Sequence, residues 1–469
     1  MLGKLISSFQ RWLADEPAVQ RAAPAATEAV SGSAPVFPSA GQAGTAPALP
    51  AGTAPEAGEP VLVHREVLDE QLDIRGVEFF IRGELRDKLN TQRSSMRRFL
   101  DSMLVDQLAS LRHAPMRHRQ IWLQLSDTSL QRLGTGKLPA RTCVLLSCET
   151  PFSPAPAETR EALAVLHEAG HEVWLDDAIG TPWFSSLAEQ ADGAMLRLAL
   201  RTPFEADELL RMAREARPGL RLGAWDVNTP EDFDLARRLR CTRFSGSFVT
   251  RREDWSGREL SPQMLTVASL INQIREELNY REVARVLKQD MAMSYRLLRY
   301  VNAAAHGLTQ RISGIEQALM ILGQEQLDRW LTLLLLSGGA MGDSAITEIA
   351  LTRARFLELC AAGRLSAEQC DKLFVLGLFS MLDVALKVPL EAAIRPLRLA
   401  DTMNAALLAR EGLFGTYLSL ADACERGVAS EIIRHAVQLG LTSSKVSSRR
   451  IEAINWVADI ASQPEQRVA

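Results

Sequence analysis

An α/β unit followed by an all-helical unit is the architecture that the sequence predicts, and three observations predict it. Between about residues 61 and 252, short apolar runs alternate with helical stripes. After Trp255 the strand-like runs stop and helix punctuation takes over. At 469 residues the chain is long enough for two or three domains, each with its own core.

The elements follow in order. Residues 1–15 place Leu2, Leu5, Ile6, Phe9, Trp12 and Leu13 at helical spacing, a short amphipathic helix without the apolar core and cleavage site of a secretory signal. Residues 16–60 are rich in Ala, Pro, Gly, Ser and Thr and hold too little apolar bulk to offset the entropy of ordering, so a linker is expected. Within residues 61–254, runs at 77–81, 120–125, 143–146, 173–175, 195–198, 220–224 and 243–248 read as strands. Stripes at 94–110, 158–169, 206–216 and 231–239 read as helices. This β-then-α order argues an α/β sheet or a (β/α) barrel. Residues 255–469 read as helical throughout. Ser261 before Pro262 is a cap with proline at the first helical position, ahead of Leu265, Ala268, Ile271, Ile274 and Leu278 on one face. Ser313 with Glu316 matches a capping box that has Gly323 as its stop, and Ser366 with Gln369 repeats the device before residues 373–386. Helices continue to about residue 461.

Composition excludes several function classes. A net charge of −4 provides no bulk attraction to nucleic acid or anionic membrane, and the basic pairs Arg251-Arg252 and Arg449-Arg450 lack interleaved aromatics. The longest strongly apolar run, residues 330–336, is far below the roughly 20 residues a bilayer requires, so no membrane span is expected. Six cysteines without a CxxC pair suit reduced thiols, and a cytoplasmic location is the expectation.

His167-Glu168-Ala169-Gly170-His171 spells HExxH, which in zinc proteases needs both histidines on one continuous helix. Here Gly170 sits where a left-handed helix cap belongs, so His167 and His171 face apart and are not a zinc site. Gly134-Thr135-Gly136-Lys137 lacks the spacing of a phosphate-binding loop and reads as a turn. After Trp255 only His306 and His435 occur, neither followed by aspartate, so no histidine-rich metal site is expected there. Function in a (β/α) barrel collects at the C-terminal strand ends, which draws attention to Asp176 and Asp177 after residues 173–175. The pair suits one or two divalent ions, or else a solvated turn. Glu78 lies inside an apolar strand, where a carboxylate costs several kcal/mol unless paired, hydrogen-bonded or metal-bound.

At these residues the chain resembles a known family. Arg65-Glu66-Val67-Leu68-Asp69 and Gly76 to Arg82 are similar to the first strands of EAL domains, the (β/α) barrel phosphodiesterases that open cyclic di-GMP. Leu175-Asp176-Asp177-Ala178-Ile179-Gly180 resembles their LDDFGTG strand end. The helical half resembles an HDOD domain, through Leu287-Lys288-Gln289-Asp290, Leu297 to Ala304, and Ile312 to Gly323. Gly377 to Asp383 is similar to the extension found when the two domains are fused. The resemblance runs from about residue 61 to the C-terminus.

The resemblance implies a site that is only partly kept. Glu78 stands at the glutamate of the EAL motif, Arg82 at the arginine that contacts ligand phosphate, and Asp176 and Asp177 at the metal-binding pair. The asparagine ligand falls on Gln124 and the first glutamate of ELTE on Leu146, which cannot bind a metal. The lysine that assists the attacking water falls on Arg197, a permanent cation and a poor base. The second glutamate of AEGVE falls on Asn228 and the late glutamine on Ser245. The function implied is that of a non-catalytic bacterial signalling protein, in which a degenerate EAL barrel and an HDOD domain contact other signalling proteins. No cofactor is then expected, and no intact catalytic set. One alternative is a cyclic di-GMP receptor without hydrolysis, holding its ligand through Glu78, Arg82, Asp176 and Asp177. A second is an active phosphodiesterase using Mg²⁺ or Mn²⁺, with Gln124, Asn228 and Glu149 replacing the lost ligands and Glu78, Asp176 and Asp177 holding the metal.

Overall fold

The computed structural model describes residues 61–82, 94–110, 119–130, 138–276, 280–304, 312, 314–336 and 344–462. The expected N-terminal helix and linker, the turn at 134–137, Ser313 and His306 lie outside the described residues.

Eight strands close into a barrel in chain order: β1 (Val61–Leu68), β2 (Ile74–Arg82), β3 (Gln120–Ser126), β4 (Thr142–Ser147), β5 (Glu172–Asp176), β6 (Gly193–Arg197), β7 (Arg221–Trp225) and β8 (Arg243–Ser245). Of the two α/β architectures the sequence allows, the closed one forms. β1 has no counterpart among the apolar runs read as strands, because its centre is His64-Arg65-Glu66. It is antiparallel to both neighbours, whereas β2 to β8 run parallel. The outer layer holds α1 (Ser94–Ser110), α2 (Asp127–Leu130), α3 (Ala157–Glu168), α4 (Pro182–Leu187), α5 (Pro203–Ala216) and α6 (Pro230–Arg238). The helices α4, α5 and α6 each open on Thr-Pro. Thr181, Thr202 and Thr229 cap the chain through their hydroxyls, and proline sets the first helical φ. The same device at Ser261 opens α7 (Pro262–Arg275), as the sequence predicts.

Alternation decides what fills the barrel. Val67, Trp122, Trp174 and Trp225 point inward from β1, β3, β5 and β7 and form one buried cluster with Cys143, Leu145 and Met195. Four side chains from alternate strands make one layer of a barrel interior. Three of the four are indoles, with ring centroids 5.0 Å apart for Trp122–Trp174 and 5.2 Å for Trp122–Trp225. Neighbouring strands must yield space. A Cβ at Gly193 would lie 2.5 Å from the Trp174 ring, and one at Gly76 would lie 2.7 Å from Trp122 Nε1.

The helical part continues with α8 (Tyr280–Gln289), α9 (Met291–Ala304), α10 (Ile315–Leu336), α11 (Ser344–Ala361), α12 (Ala367–Phe379), α13 (Leu382–Leu386), α14 (Leu390–Ile394), α15 (Asp401–Ala409), α16 (Gly412–Arg426), α17 (Ala429–Gln438) and α18 (Ser443–Ser462). The capping box at Ser366 forms and opens α12. Gly323, expected as a stop, has non-helical angles (φ 68°, ψ 176°) and divides α10 into two helical pieces at a kink. Among the described residues no single helix is long and apolar enough to cross a membrane.

Barrel and helices share polar contacts, some of them between largely buried side chains. Arg119, just before β3, pairs with Glu348 of α11, and both are buried (side-chain exposure 8% and 2%). Arg252 donates to Asp383 Oδ2 at 2.5 Å and to the Ser380 carbonyl at 3.0 Å. Burial pushes the Glu348 carboxyl up, and Arg119 opposes the shift. Removing one partner of a buried pair leaves the other charge uncompensated. Arg119→Met is therefore expected to lower unfolding free energy by about 3–5 kcal/mol in urea titrations. Adding Glu348→Leu is expected to restore most of the loss, and additive costs in this double-mutant cycle would show that the pair is not coupled.

Candidate functional site

The C-terminal strand ends form the mouth of the barrel, and the interior layer of indoles is its floor. Glu78, buried on β2, accepts a hydrogen bond from Trp225 Nε1 at 2.9 Å. Burial raises the Glu78 carboxyl above its usual range, outweighing the nearby Arg65 and Arg197 guanidinium groups. The partner that a carboxylate in an apolar strand requires is thus an indole from β7.

Asp176 ends β5. Its Oδ2 accepts from Gln124 Nε2 at 2.5 Å and from Arg197 Nη2 at 3.0 Å, while Oδ1 is buried without a partner. Arg197 ends β6 and reaches the other way to Asp226 Oδ2 at 3.2 Å, and Asp226 Oδ1 accepts from Arg65 Nη1 at 3.1 Å. The mouth is lined by a ladder in which cations and carboxylates alternate. Burial works against the charge of Arg197, but Asp176, then Asp226 and Glu78, hold its guanidinium above the ordinary value. Asp177 follows in a left-handed conformation (φ 45°). Its oxygens accept from the Arg197 backbone N–H and from Arg201 Nη2, each at 3.2 Å. Burial pushes this carboxyl up, against the pull of that N–H and of Arg201.

Glu78, Gln124, Asp176, Asp177 and Arg197 therefore meet at the mouth. Arg82 ends β2 opposite Val61, and its side chain lies outside the described residues. Ser245 is fully buried beside Trp225 on β8, its hydroxyl without a hydrogen-bond partner. Asn228 is not part of the mouth ladder: it is exposed, and its Oδ1 accepts from Ser247 Oγ at 3.1 Å. Leu146 packs in the outer cluster with Leu125 and Leu175, because 143 and 145 are the inward positions of β4. On this phase the mouth residue of β4 is Ser147, whose hydroxyl donates to the Leu125 carbonyl at 3.2 Å. Neither position supplies a carboxylate.

Arg65, Trp225 and Asp226 belong to the site and were not among the expected residues. The rule that singled out Asp176 also fits Asp226, one residue past the end of β7. The rule that singled out Glu78, a charge inside a strand, fits Arg65, its cross-strand partner.

The HExxH stretch resolves as a helix end. Gly170 has φ 80°, its N–H bonds to the His167 carbonyl, and the His171 N–H bonds to the Leu166 carbonyl. That pair of bonds is a Schellman cap. His167 Nε2 lies 2.9 Å from Asp192 Oδ2, whereas His171 is buried, which lowers the pKa of its imidazole. Among the described residues, no group of three or more His, Cys, Asp or Glu is placed to hold a metal ion.

The state of Glu78 has a measurable consequence. A carboxyl raised on folding contributes stability below its unfolded value of about 4.3, and the contribution is lost as pH rises through the folded value. Glu78→Gln keeps an acceptor for Trp225 but does not titrate. Thermal melts are expected to show the variant gaining on the parent chain as pH rises from about 4 to 7. The opposite slope would mean that folding favours the charged carboxylate.

Comparison with known proteins places these features. A family model described as the HDOD domain matches residues 260–382. The chain is 30% identical over 302 residues to the Vibrio cholerae protein named cyclic di-GMP phosphodiesterase CdgJ, covering 64% of this chain and 70% of that one. It is 29% identical over 212 residues to Bacillus subtilis YuxH, covering 44% and 52%. Among solved structures, the EAL domain of Mycobacterium smegmatis DcpA aligns with a TM-score of 0.32 at 19% identity, covering 40% of this chain and 90% of that one. Klebsiella pneumoniae BlrP1, in a manganese and cyclic di-GMP complex, aligns with a TM-score of 0.34 at 17% identity, covering 42% and 56%. With 30% identity across 70% of CdgJ, and an HDOD match immediately after an eight-stranded barrel, the chain belongs to the EAL–HDOD family of signalling proteins.

Proposed function

We propose that this chain works in cyclic di-GMP signalling without hydrolysing the nucleotide, through contacts that its barrel module (residues 61–254) and helical module (residues 255–469) make with other signalling proteins. The observation that carries the reading is the Arg197 guanidinium, held between Asp176 and Asp226. Paired divalent ions need a concentration of uncompensated carboxylate charge, both to bind and to lower the pKa of a bridging water. At this mouth the carboxylates already share cations supplied by the chain: Arg197 on Asp176, Arg65 and Arg197 on Asp226, Arg201 on Asp177. Glu78 is held by an indole, and burial raises its carboxyl above the usual range. These residues do not fit a divalent pair. A guanidinium also makes a poor general base, so the position expected to assist a water lacks the chemistry to do so.

A receptor without hydrolysis is the second reading, and one observation favours it. Arg65 and Arg201 stand at the mouth with side chains 32% and 31% exposed, open to a phosphate on their solvent side.

The purified chain with Mg²⁺ or Mn²⁺ is expected to leave cyclic di-GMP intact. Metal-dependent turnover that disappears in Glu78→Ala would overturn the proposal. Calorimetric titration separates the two readings. Binding at about 100 μM ligand or below, weakened at least tenfold in Arg65→Ala, would establish a receptor. Absence of heat at that concentration leaves protein contacts as the route of action.

A further inference from the structure

The β1–β2 hairpin outreaches the barrel that it helps to close. β2 pairs with β3 only from Gly76 to Phe79, whereas β1 and β2 remain paired as far as Val61 and Arg82. The last three pairs form a two-stranded ribbon standing above the rim, and such ribbons are marginal in water without support. The helical module meets the hairpin on both of its faces.

On the face that continues the barrel interior, the turn after α16 meets the ribbon. At Gly427 (φ 68°) a Cβ would lie 3.2 Å from Val63 Cγ1 and 4.0 Å from Phe80 Cε2. On the other face, one pair below the ribbon where Phe79 still pairs with β3, Arg450 of α18 donates to His64 Nδ1 at 2.7 Å, both side chains being buried. The β1–β2 hairpin is held between two helical elements that lie beyond the matched HDOD residues 260–382.

The hairpin also carries Arg65, one residue further into the barrel. Its guanidinium lies over the Phe80 ring, 5.1 Å from the centroid, and bonds Asp226. From Phe80, the cross-strand partner of Val63, a continuous line of contacts runs through Arg65, Asp226 and Arg197 to Asp176.

We propose that the C-terminal helices set the position of Arg65 through their grip on the β1–β2 ribbon, so that a change in the helical module opens or closes the arginine ladder at the barrel mouth. The inference rests on the proposed function in taking the laddered mouth as the resting state. A partner that moves α16 or α18 displaces Val63 and Phe80, and Arg65 then leaves Asp226. By linkage, anything that captures Arg65 at the mouth alters the affinity of the helical module for that partner to the same degree.

The test uses the full chain and the indole N–H resonance of Trp225, assigned by its loss in Trp225→Phe. This N–H bonds Glu78, the cross-strand partner of Arg65. Arg450→Met and, as a milder change from the barrel side, Val63→Ala are each expected to shift the resonance while far-ultraviolet circular dichroism stays unchanged. Arg449→Met, which removes a surface pair with Glu452, is expected to leave it in place. In an Arg65→Met background the Arg450→Met shift is expected to vanish. An unmoved resonance in the folded Arg450→Met and Val63→Ala chains, or an equal shift without Arg65, would overturn the relay. Failure of the non-catalytic reading would instead appear as metal-dependent turnover, a separate measurement.

Discussion

The layer of indoles inside the barrel is the constraint on which the rest of the molecule depends. Trp122, Trp174 and Trp225 come from alternate strands and occupy one level, so the register of β3, β5 and β7 is coupled through their contacts. A slip of one residue would turn an indole outward and bring a neighbour of different shape inward, an aliphatic side chain on β3 and β5 and Ala224 or Asp226 on β7. The glycines at 76 and 193 exist in this setting as the absence of a colliding Cβ. The layer also determines the floor of the mouth. Because Trp225 fills its level, its N–H is the donor that Glu78 meets, and the carboxylate is held by an apolar ring system where solvent or an ion would otherwise stand.

Above that floor, electrostatics follows from the charges that the strand ends bring together. Asp176 and Arg197 end β5 and β6, Asp226 follows β7 directly, and the closure of the barrel places them side by side. Each charge is partly desolvated, which is costly alone and tolerable in alternation. The strand-end charges are met largely by one another, with Asp176 Oδ1 left buried without a partner. The helical module is joined to this barrel by buried contacts, Arg119 with Glu348 and Arg450 with His64, of the kind that fix relative position.

Local pattern made much of this legible. Short apolar runs located seven strands, and residues at strand ends pointed to Asp176 and Asp177. Serine caps located the helix starts after Ser261 and Ser366, and a glycine in HExxH located a helix end. β1 escaped because His64, Arg65 and Glu66 interrupt its apolar run, and two of these find their partners 386 and 161 residues away, in Arg450 and Asp226. Asn228 entered the expected site, and Leu146 the expected β4 position, through a motif frame read along the chain. The true phase of β4 and the turn after β7 are set by pairing with other strands.

By itself the sequence determined the order of elements, the succession of a barrel-type unit and a helical unit, and the charged positions at the strand ends. These are properties of neighbours along the chain, carried by spacing and by capping chemistry. Only the tertiary structure decided which charges neutralise one another. The Arg197 bridge, the Trp225 hydrogen bond to Glu78 and the grip of the C-terminal helices on the hairpin each join residues far apart in the chain. Such partnerships depend on barrel closure and on strand phase, which no local window of sequence contains.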